Sequence, residues 1–216
     1  MIDIKEKKKE LQKIAQEVEK CQRCPLYKRA TRGVSGEGNP DARMMFIGEG
    51  PGYWEDQKGI PFCGAAGKIL DELLSTIGGS ASGGQLIKFD RREVFIGNVI
   101  KHRPPDNRDP LPQEIEACRS WLDKQIEIIN PEIIVTLGRF SMAKFLPEAK
   151  ISRIHGQPQT IDFQGKKLVI MPMYHPAAGL RRGEILEDLR KDFLKLGKLL
   201  ESSSKLEPSR EQLSLI

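Results

Sequence analysis

The 216-residue sequence has no long apolar run, only four cysteines and only three histidines. No stretch approaches the roughly 18 apolar residues that a membrane-spanning helix requires, which argues against a membrane span. The lysine-rich start has no apolar segment after it, so it does not resemble a secretory signal. We therefore expect a cytoplasmic protein. In such a protein, four cysteines indicate metal ligands or core residues rather than disulfides.

The net charge of the chain is +5. A basic chain is compatible with a polyanionic partner, but many proteins are equally basic without binding one. Composition therefore leaves the function open, and the motifs must decide it.

Short apolar runs alternate with amphipathic segments along the chain. This alternation predicts an α/β fold, a three-layer α/β/α sandwich around a central, mostly parallel four-stranded sheet. In such sheets, functional groups gather in the loops at the carboxyl ends of the strands. The expected strands are residues 44–47, 94–100, 133–137 and 168–173, and the expected helices are residues 3–20, 65–77, 112–129 and 184–200.

We expect one folded domain over residues 1–200 and a flexible tail over residues 201–216. The tail is rich in Ser, Glu, Lys and Pro up to residue 211, a composition typical of disorder. Residues 78–84, which contain only Gly, Ser and Ala, have the composition of a flexible loop within the domain.

The first predicted strand leads into Gly48-Glu49-Gly50-Pro51-Gly52. Three glycines and a proline after a strand suit a tight loop whose backbone N–H groups can face a ligand, although a plain surface turn is the alternative. The glycine spacing does not match a dinucleotide-binding fingerprint, and no Gly-Lys-Ser/Thr follows as in a Walker loop. Glu55-Asp56 and Pro61-Phe62-Cys63-Gly64 come next.

Two other strand ends carry polar groups. The second strand ends at Asn98, whose carboxamide offers both a donor and an acceptor to the edge of a nucleobase. The basic segment 101–108 follows it. The fourth strand is followed by Tyr174-His175-Pro176-Ala177-Ala178-Gly179 and then by Leu180-Arg181-Arg182. A leucine beside two arginines is typical of loops that enter DNA grooves and contact phosphates.

Over roughly residues 20–196 these segments together resemble the iron–sulfur, or family 4, uracil-DNA glycosylases. The similarity lies in Gly-Glu-Gly-Pro-Gly followed by Glu-Asp, in Pro-Phe-x-Gly-x-Ala-Gly, in Asn98-x-x-Lys followed by Arg-Pro-Pro-x-Asn-Arg, and in the late His-Pro-Ala-Ala. The resemblance implies a monofunctional enzyme that flips uracil out of DNA and hydrolyses its N-glycosidic bond, leaving an abasic site.

The resemblance also implies residue roles. Glu49 would lie near the attacking water, His175 would contact uracil O2 as negative charge develops there, and Asn107 is a weaker candidate for positioning water. Phe62 would stack on the base and Asn98 would read its edge. The substrate-binding residues implied are Gly50, Gly52, Glu55, Phe62 and Asn98, and the DNA-binding residues are Leu180, Arg181 and Arg182.

The family binds a [4Fe–4S] cluster through four cysteines. Cys21, Cys24 and Cys118 match three of these positions, and the remaining position holds His102. A neutral imidazole can replace a thiolate on iron and raises the potential. A related group that crosslinks to DNA also carries histidine here, but its inserted basic loop is absent, so we do not transfer that activity. Cys63 as the fourth ligand, zinc in place of the cluster, and no metal at all remain as alternatives.

Other interpretations stay open at this stage. The chain could be a non-catalytic DNA- or polymerase-binding module of the same fold, or a glycosylase with a base range that includes hypoxanthine or xanthine. His155 has no motif around it and is interpreted as an ordinary surface or turn histidine. The terminal Gln212-Leu213-Ser214-Leu215-Ile216 resembles the peptide that binds the bacterial sliding clamp, with a functionless terminus as the alternative. We expect a monomer.

Overall fold

A computed structural model describes residues 3–77 and 89–204. The predictions made for residues 78–84, and those made for the tail beyond residue 204, lie outside the described residues. Within the described part, no helix is long and apolar enough to cross a membrane.

The core of the protein is one sheet with the strand order β1-β3-β2-β4-β6-β5. The four inner strands run parallel and are the four that the apolar runs predict, whereas β1 and β5 pair antiparallel at the two edges. The strands are β1 (Glu37–Gly38), β2 (Met44–Gly48), β3 (Phe95–Asn98), β4 (Ile133–Leu137), β5 (Gln159–Phe163) and β6 (Lys166–Met173).

The sheet therefore has six strands. The prediction of four strands was wrong because it missed the two edge strands, β1 and β5. β1 has only two residues, which is too short for a pattern of alternation to reveal it. In β5 no residue is buried. An edge strand needs few apolar side chains, and therefore the sequence of β5 does not contain an apolar run.

Helices cover both faces of the sheet. The four long helices match the predicted ones, although the second predicted helix ends at Leu74 rather than at residue 77 and the last extends to Ser204. Four short helices had not been predicted. The helices are α1 (Ile4–Glu19), α2 (Tyr53–Lys58), α3 (Ala65–Leu74), α4 (Pro112–Ile129), α5 (Arg139–Ala143), α6 (Ile151–Ile154), α7 (Pro176–Gly179) and α8 (Gly183–Ser204).

Alternation along β2 explains the three layers, since successive side chains of a strand point to opposite faces. Met44 and Phe46 pack with α3 and α8 in one apolar cluster, while Met45 and Ile47 pack with α4 in another. The α/β/α sandwich is thus confirmed. The register of the parallel pair β2–β3 places Gly48 opposite Asn98 at the carboxyl ends of both strands, and this edge of the sheet carries the candidate site.

Candidate active site and cysteine cluster

A cavity of about 590 Å³ lies where the loops after β2, β3 and β6 meet. It contains residues from every strand end that the sequence singles out, and it is the natural place for a ligand in an open parallel sheet. Its lining includes Glu49, Gly50, Gly52, Glu55, Phe62, Asn98, Asn107, His175, Arg181 and Arg182.

Gly48 sets the spacing of the cavity floor. A Cβ atom at this position would collide with the side-chain oxygen of Asn98 and would lie 2.6 Å from Phe62 Cζ. Only a glycine lets these two side chains approach the end of β2 together. Sequence reasoning did not single out Gly48 as a site residue; the signal was its position as the first glycine of the loop motif, directly opposite Asn98 in the strand register.

Asn98 is the least satisfied polar residue of the cavity. Its side chain is buried, with the residue only 1% exposed, and its Oδ1 atom has no hydrogen-bond partner among the described residues. A buried acceptor without a partner costs about 1–3 kcal/mol. Such a cost in a cavity indicates an acceptor kept for a ligand that donates a hydrogen bond.

Phe62 forms one wall of the cavity in an unusual backbone conformation. Its φ of 51° lies in the left-handed region, which is rare for an aromatic residue and concentrates at functional sites. Arg91 holds this backbone by donating to the carbonyl oxygens of Phe62 and of Pro61. The ring of Phe62 stacks against that of His175, with centroids 5.4 Å apart. Arg91 is a further residue that sequence reasoning missed.

The imidazole of His175 is fixed in one tautomer. Its Nδ1 atom accepts a hydrogen bond from the backbone N–H of Ala177 at 3.1 Å, so in the neutral ring the proton resides on Nε2. Burial lowers the pKa of His175 to about 4, although the ring keeps some surface open to the cavity. At neutral pH it is therefore an uncharged hydrogen-bond donor.

Glu49 turns its carboxylate toward the start of α5. One oxygen lies 3.5 Å from the backbone nitrogen of Phe140, and the carboxylate leaves no room for a Cβ at Gly138. Burial, followed by the nearby charge of Asp109, raises the pKa of Glu49, although the contact with Phe140 acts in the opposite direction. The result is a partly buried carboxylate that retains a tendency to hold a proton.

Glu55 connects two loops of the cavity wall. One oxygen accepts from the N–H of Gly52 at 3.1 Å and the other from the N–H of Gly64 at 2.9 Å. Both oxygens are thus engaged by backbone groups, which suits a positioning role at the edge of the cavity. A Cβ atom at Gly50 would lie only 2.7 Å from Ile100 Cγ1. The loop after β2 therefore packs directly on the segment that follows β3.

The rim of the cavity carries the remaining predicted residues. Leu180 is 53% exposed although it is apolar, and it directly follows α7. Arg181 and Arg182 are exposed and line the cavity mouth. Asn107 is also exposed, and its side-chain oxygen already accepts a hydrogen bond from Arg103 Nε at 2.7 Å.

Lys101 is completely buried beneath the end of β3. Its ammonium donates to the carbonyl oxygens of Ser35 and Asn98, both at 3.0 Å, and to the side-chain oxygen of Gln125 at 2.7 Å. Burial lowers the pKa of Lys101 to about 8. The lysine anchors the backbone that presents Asn98.

Three cysteines, Cys21, Cys24 and Cys118, lie close to one another near Lys101. The Cys24 and Cys118 side chains pack in one cluster of buried residues, and Cys21 is close enough to affect both electrostatically. All three are buried. Burial raises the pKa of the Cys118 thiol to about 11 and also raises that of Cys24.

The fourth predicted ligand, His102, is buried and follows Lys101, whose backbone N–H contacts the Cys118 sulfur. Cys63 instead has Glu55, Lys58 and Arg91 as its charged neighbours, so it lies next to Phe62 and apart from the cysteine group. Within residues 3–77 and 89–204, no three histidine, cysteine or carboxylate side chains converge closely enough for a single metal ion. A cluster is wider than an ion, since each ligand binds a different iron.

His155 follows α6 in a turn, as expected, but it is not isolated. Its Nδ1 atom lies 2.7 Å from Asp192 Oδ2, and its ring packs on Tyr174 with centroids 4.6 Å apart. The expectation of an ordinary surface histidine therefore overlooked a contact with the residue that precedes His175.

Comparisons with known proteins agree with this geometry. The family model described as "Uracil DNA glycosylase superfamily" matches residues 35–195. The type-4 uracil-DNA glycosylase of Archaeoglobus fulgidus is 44% identical over 195 residues, which cover 88% of this chain and 92% of the relative. The type-4 enzyme of Thermotoga maritima is 45% identical over 186 residues, covering 82% of this chain and 90% of the relative.

The type-4 uracil-DNA glycosylase of Saccharolobus solfataricus is 44% identical over 194 residues, covering 88% of this chain and 86% of the relative. The family match spans the sheet and all the loops that build the cavity. The chain belongs to the uracil DNA glycosylase superfamily.

Proposed function

We propose that this protein is a monofunctional uracil-DNA glycosylase, which hydrolyses the N-glycosidic bond of uracil in DNA and leaves an abasic site. The observation that carries the proposal is the unpartnered, buried Asn98 carboxamide oxygen at the floor of the cavity, between the aromatic wall and the strand end. Base-flipping enzymes read an extruded base through hydrogen bonds to its pairing edge and through stacking.

Recognition of uracil follows from the donor and acceptor pattern of that carboxamide. The Asn98 oxygen accepts from uracil N3–H, and its NH₂ group donates to O4. Cytosine presents an unprotonated N3 and an amino group on this edge, so the same carboxamide orientation would leave Asn98 Oδ1 without a partner. The ring of Phe62 supplies the stacking surface.

Cleavage requires stabilisation of charge on both sides of the glycosidic bond. As the bond breaks, negative charge develops on the leaving uracil and positive charge on the sugar. His175, neutral with its proton on Nε2, donates to uracil O2 without being a cation, which is an oxyanion-type role. The Glu49 carboxylate stabilises the cationic sugar and orients the attacking water, taking up its proton as the bond to the sugar forms.

The rim residues would hold DNA around the extruded base. The exposed side chain of Leu180 would fill the space that the base vacates in the stack, as apolar wedges do. Arg181 and Arg182 would contact phosphates, which provide affinity without reading sequence.

We further propose that Cys21, Cys24, Cys118 and His102 hold a [4Fe–4S] cluster. The donor set supports this proposal, because three buried cysteines are grouped and the buried His102 directly follows Lys101, whose backbone contacts Cys118. The indole Nε1 of Trp121, which packs with Cys21, is buried and lacks a partner among the described residues; a cluster sulfur would accept from it. When bound, the cluster would supply cross-linking of the N-terminal segment, the loop after β3 and α4, and no step of hydrolysis.

The function is tested with a DNA oligonucleotide that contains one uracil, treated with the protein and then with alkali. We expect a single break at the uracil and none in the same oligonucleotide with thymine. Absence of an abasic product from both single- and double-stranded substrates would favour the non-catalytic binding module. Parallel substrates with hypoxanthine and xanthine define the base range.

The cluster is tested by iron and sulfide analysis of the purified wild type beside His102→Ala and Cys63→Ala. We expect about four irons per chain in the wild type and in Cys63→Ala, and a partial or complete loss in His102→Ala. Retention of a full cluster in His102→Ala together with its loss in Cys63→Ala would reverse the ligand assignment.

We also propose that the protein is a cytoplasmic monomer and that residues 212–216, which lie outside the described residues, bind a bacterial sliding clamp. A short apolar peptide on a tether is a common form of clamp ligand and gains from a high effective concentration at the DNA. Binding of purified clamp to the full chain, compared with a chain that ends at residue 211, tests this. Equal binding would contradict it.

A further inference from the structure

Two neighbouring aromatic side chains stand exposed at the start of α2. Tyr53 is 48% exposed and Trp54 is 56% exposed, and no other aromatic residue in the described part of the chain is so accessible. Single exposed apolar residues are ordinary on a protein surface. A pair of large rings in edge-to-face contact, with centroids 5.2 Å apart, offers a contiguous aromatic surface.

This surface is continuous with the mouth of the cavity. The residue before Tyr53 is Gly52, which lines the cavity. The guanidinium of Arg103 lies 5.1 Å from the centre of the Tyr53 ring, and Arg103 also donates to Asn107, another lining residue. Hydrogen bonds from the backbone N–H groups of Gly52 and Gly64 to the Glu55 carboxylate fix the start of α2 on the cavity wall.

The charges beside the two rings are positive. Arg103 lies over Tyr53, and the ammonium of Lys58 lies 5.9 Å from the centre of the Trp54 ring. The two acidic residues of α2 already have partners: both oxygens of Glu55 accept from backbone N–H groups, and Asp56 is buried and accepts from the N–H of Thr31 at 2.8 Å. Aromatic rings interleaved with cations are the combination that binds single-stranded nucleic acid, by stacking on bases and by attraction of phosphates.

The two sides of the cavity mouth differ in origin and in chemistry. Tyr53 and Arg103 follow β2 and β3, whereas Leu180 follows β6, and β4 separates β2 from β6 in the sheet. A DNA strand whose uracil enters the cavity therefore meets the Leu180 loop on one side and the aromatic pair on the other.

We propose that Tyr53 and Trp54 form a stacking platform for an unpaired base adjacent to the extruded uracil, so that the enzyme engages single-stranded DNA through this surface. The inference rests on the proposed function in taking DNA as the substrate. The platform selects unpaired bases because a base within a duplex already stacks on both of its neighbours and has no face free for a protein ring.

Intrinsic fluorescence offers a direct test of binding. The chain has two tryptophans, and Trp121 is buried, so quenching by an added oligonucleotide reports on Trp54. The probe is a uracil-free oligothymidylate of about twelve nucleotides, within the usual site size of single-strand binders. We expect quenching in the wild type and in Tyr53→Phe.

Affinity is then compared by anisotropy of the same oligothymidylate carrying a dye. Tyr53→Ala and Trp54→Ala are each expected to weaken binding about 5- to 150-fold, the range for loss of one base–aromatic stack. Trp54→Phe should stay within about 3-fold, since phenylalanine keeps the aromatic face. Leu194→Ala removes an equally exposed apolar side chain from α8 and should leave the affinity unchanged.

Excision kinetics separate this platform from the catalytic pocket. Trp54→Ala should raise KM for single-stranded uracil DNA with little change in kcat, and should affect a duplex substrate less. No quenching in the wild type, or alanine variants that bind within about 2-fold of it, would overturn the platform while excision still supports the proposed function. If the wild type binds oligothymidylate through Trp54 but does not excise uracil, the result contradicts the proposed function and still supports the platform.

Discussion

The pocket and the cysteine group lie on opposite ends of one stretch of chain, residues 98–118, and they are organised differently. In the pocket, residues far apart in sequence meet because parallel strands end at the same edge of the sheet, with Gly48 opposite Asn98. The cysteines come from a helix end, a loop and the middle of α4. The sheet fixes the pocket whatever is bound, whereas no register positions His102 against the cysteines.

Burial acts on both regions but with different consequences. In the pocket it lowers the pKa of His175 to about 4 and raises the pKa of Glu49, which yields a neutral donor beside a carboxylate. In the cysteine group it raises the pKa of Cys118 to about 11, so the protonated thiol is favoured until a cation replaces the proton. The pocket has its charged groups in place without a cofactor, whereas the cysteine group would be completed by the cluster proposed for it.

The largest effect on the pocket is expected from Glu49→Gln. Loss of the carboxylate should slow excision about 1000-fold, within the range for removal of a positioned base. Because the pKa of Glu49 is raised, wild-type activity should fall as the pH drops through that raised value, and this acid limb should be absent from the residual activity of the variant. Single-turnover rates over about pH 4–8 measure both.

The thermal stability of Glu49→Gln is a control, because the direction of its change can be predicted. A carboxyl group with a raised pKa in the folded state binds more protons there than in the unfolded chain, so the ionised form disfavours folding above the ordinary pKa. Glu49→Gln should therefore have an equal or higher Tm at neutral pH. A lower Tm together with loss of iron would mean that Glu49 supports the fold and would contradict its assignment to catalysis.

His175→Ala should reduce the excision rate by about 100-fold or more, the cost of one oxyanion-type donor. Since the pKa of His175 is lowered to about 4, the ring stays neutral through the neutral range and should add no limb to the pH profile above about pH 5. Iron content should match the wild type, because the ring contacts the pocket alone. A drop in iron that parallels the drop in rate would show that the two regions are not separable.

Lys101→Met tests the segment that joins the two regions. It leaves three buried acceptors, on Ser35, Asn98 and Gln125, without their charged donor. The expected loss is about 2–3 kcal/mol, or about 5–10 °C in Tm, measured by thermal unfolding. Lys167→Met is the matched control, since that ammonium pairs with Asp162 on the surface at 3.8 Å and such pairs contribute under about 1 kcal/mol. Equal Tm shifts in both variants would contradict the role of Lys101.

Much of the pocket was predictable because strand ends are visible in sequence. The apolar runs located all four parallel strands, and the residues after them, Glu49, Asn98 and His175, lie together in the structure. The family resemblance then supplied roles that periodicity alone does not contain. The two edge strands and α2 escaped because short, exposed elements bury too little apolar surface to leave a pattern.

The supporting contacts could not be read from the sequence. Arg91 fixes the left-handed backbone of Phe62 from 29 residues away, and Lys101 meets Ser35 across 66 residues. Such contacts depend on how loops from different strands pass each other, and no local signal encodes them. For the same reason the sequence could place His102 in register with a ligand position without establishing that its ring faces the cysteines.

The smallest effect on the excision rate is expected from Asn107→Ala. This variant tests whether Asn107, at the rim of the cavity, takes part in the reaction. Asn107 was a candidate for positioning water, yet it is exposed and its side-chain oxygen already accepts from Arg103. Exposed substitutions of this kind change free energies by about 0.5 kcal/mol, or about 2-fold in rate. Single-turnover excision of uracil from single-stranded DNA measures it, with Asn98→Ala as the matched asparagine inside the pocket. A decrease for Asn107→Ala as large as that for Asn98→Ala would place the water near Asn107 and away from Glu49.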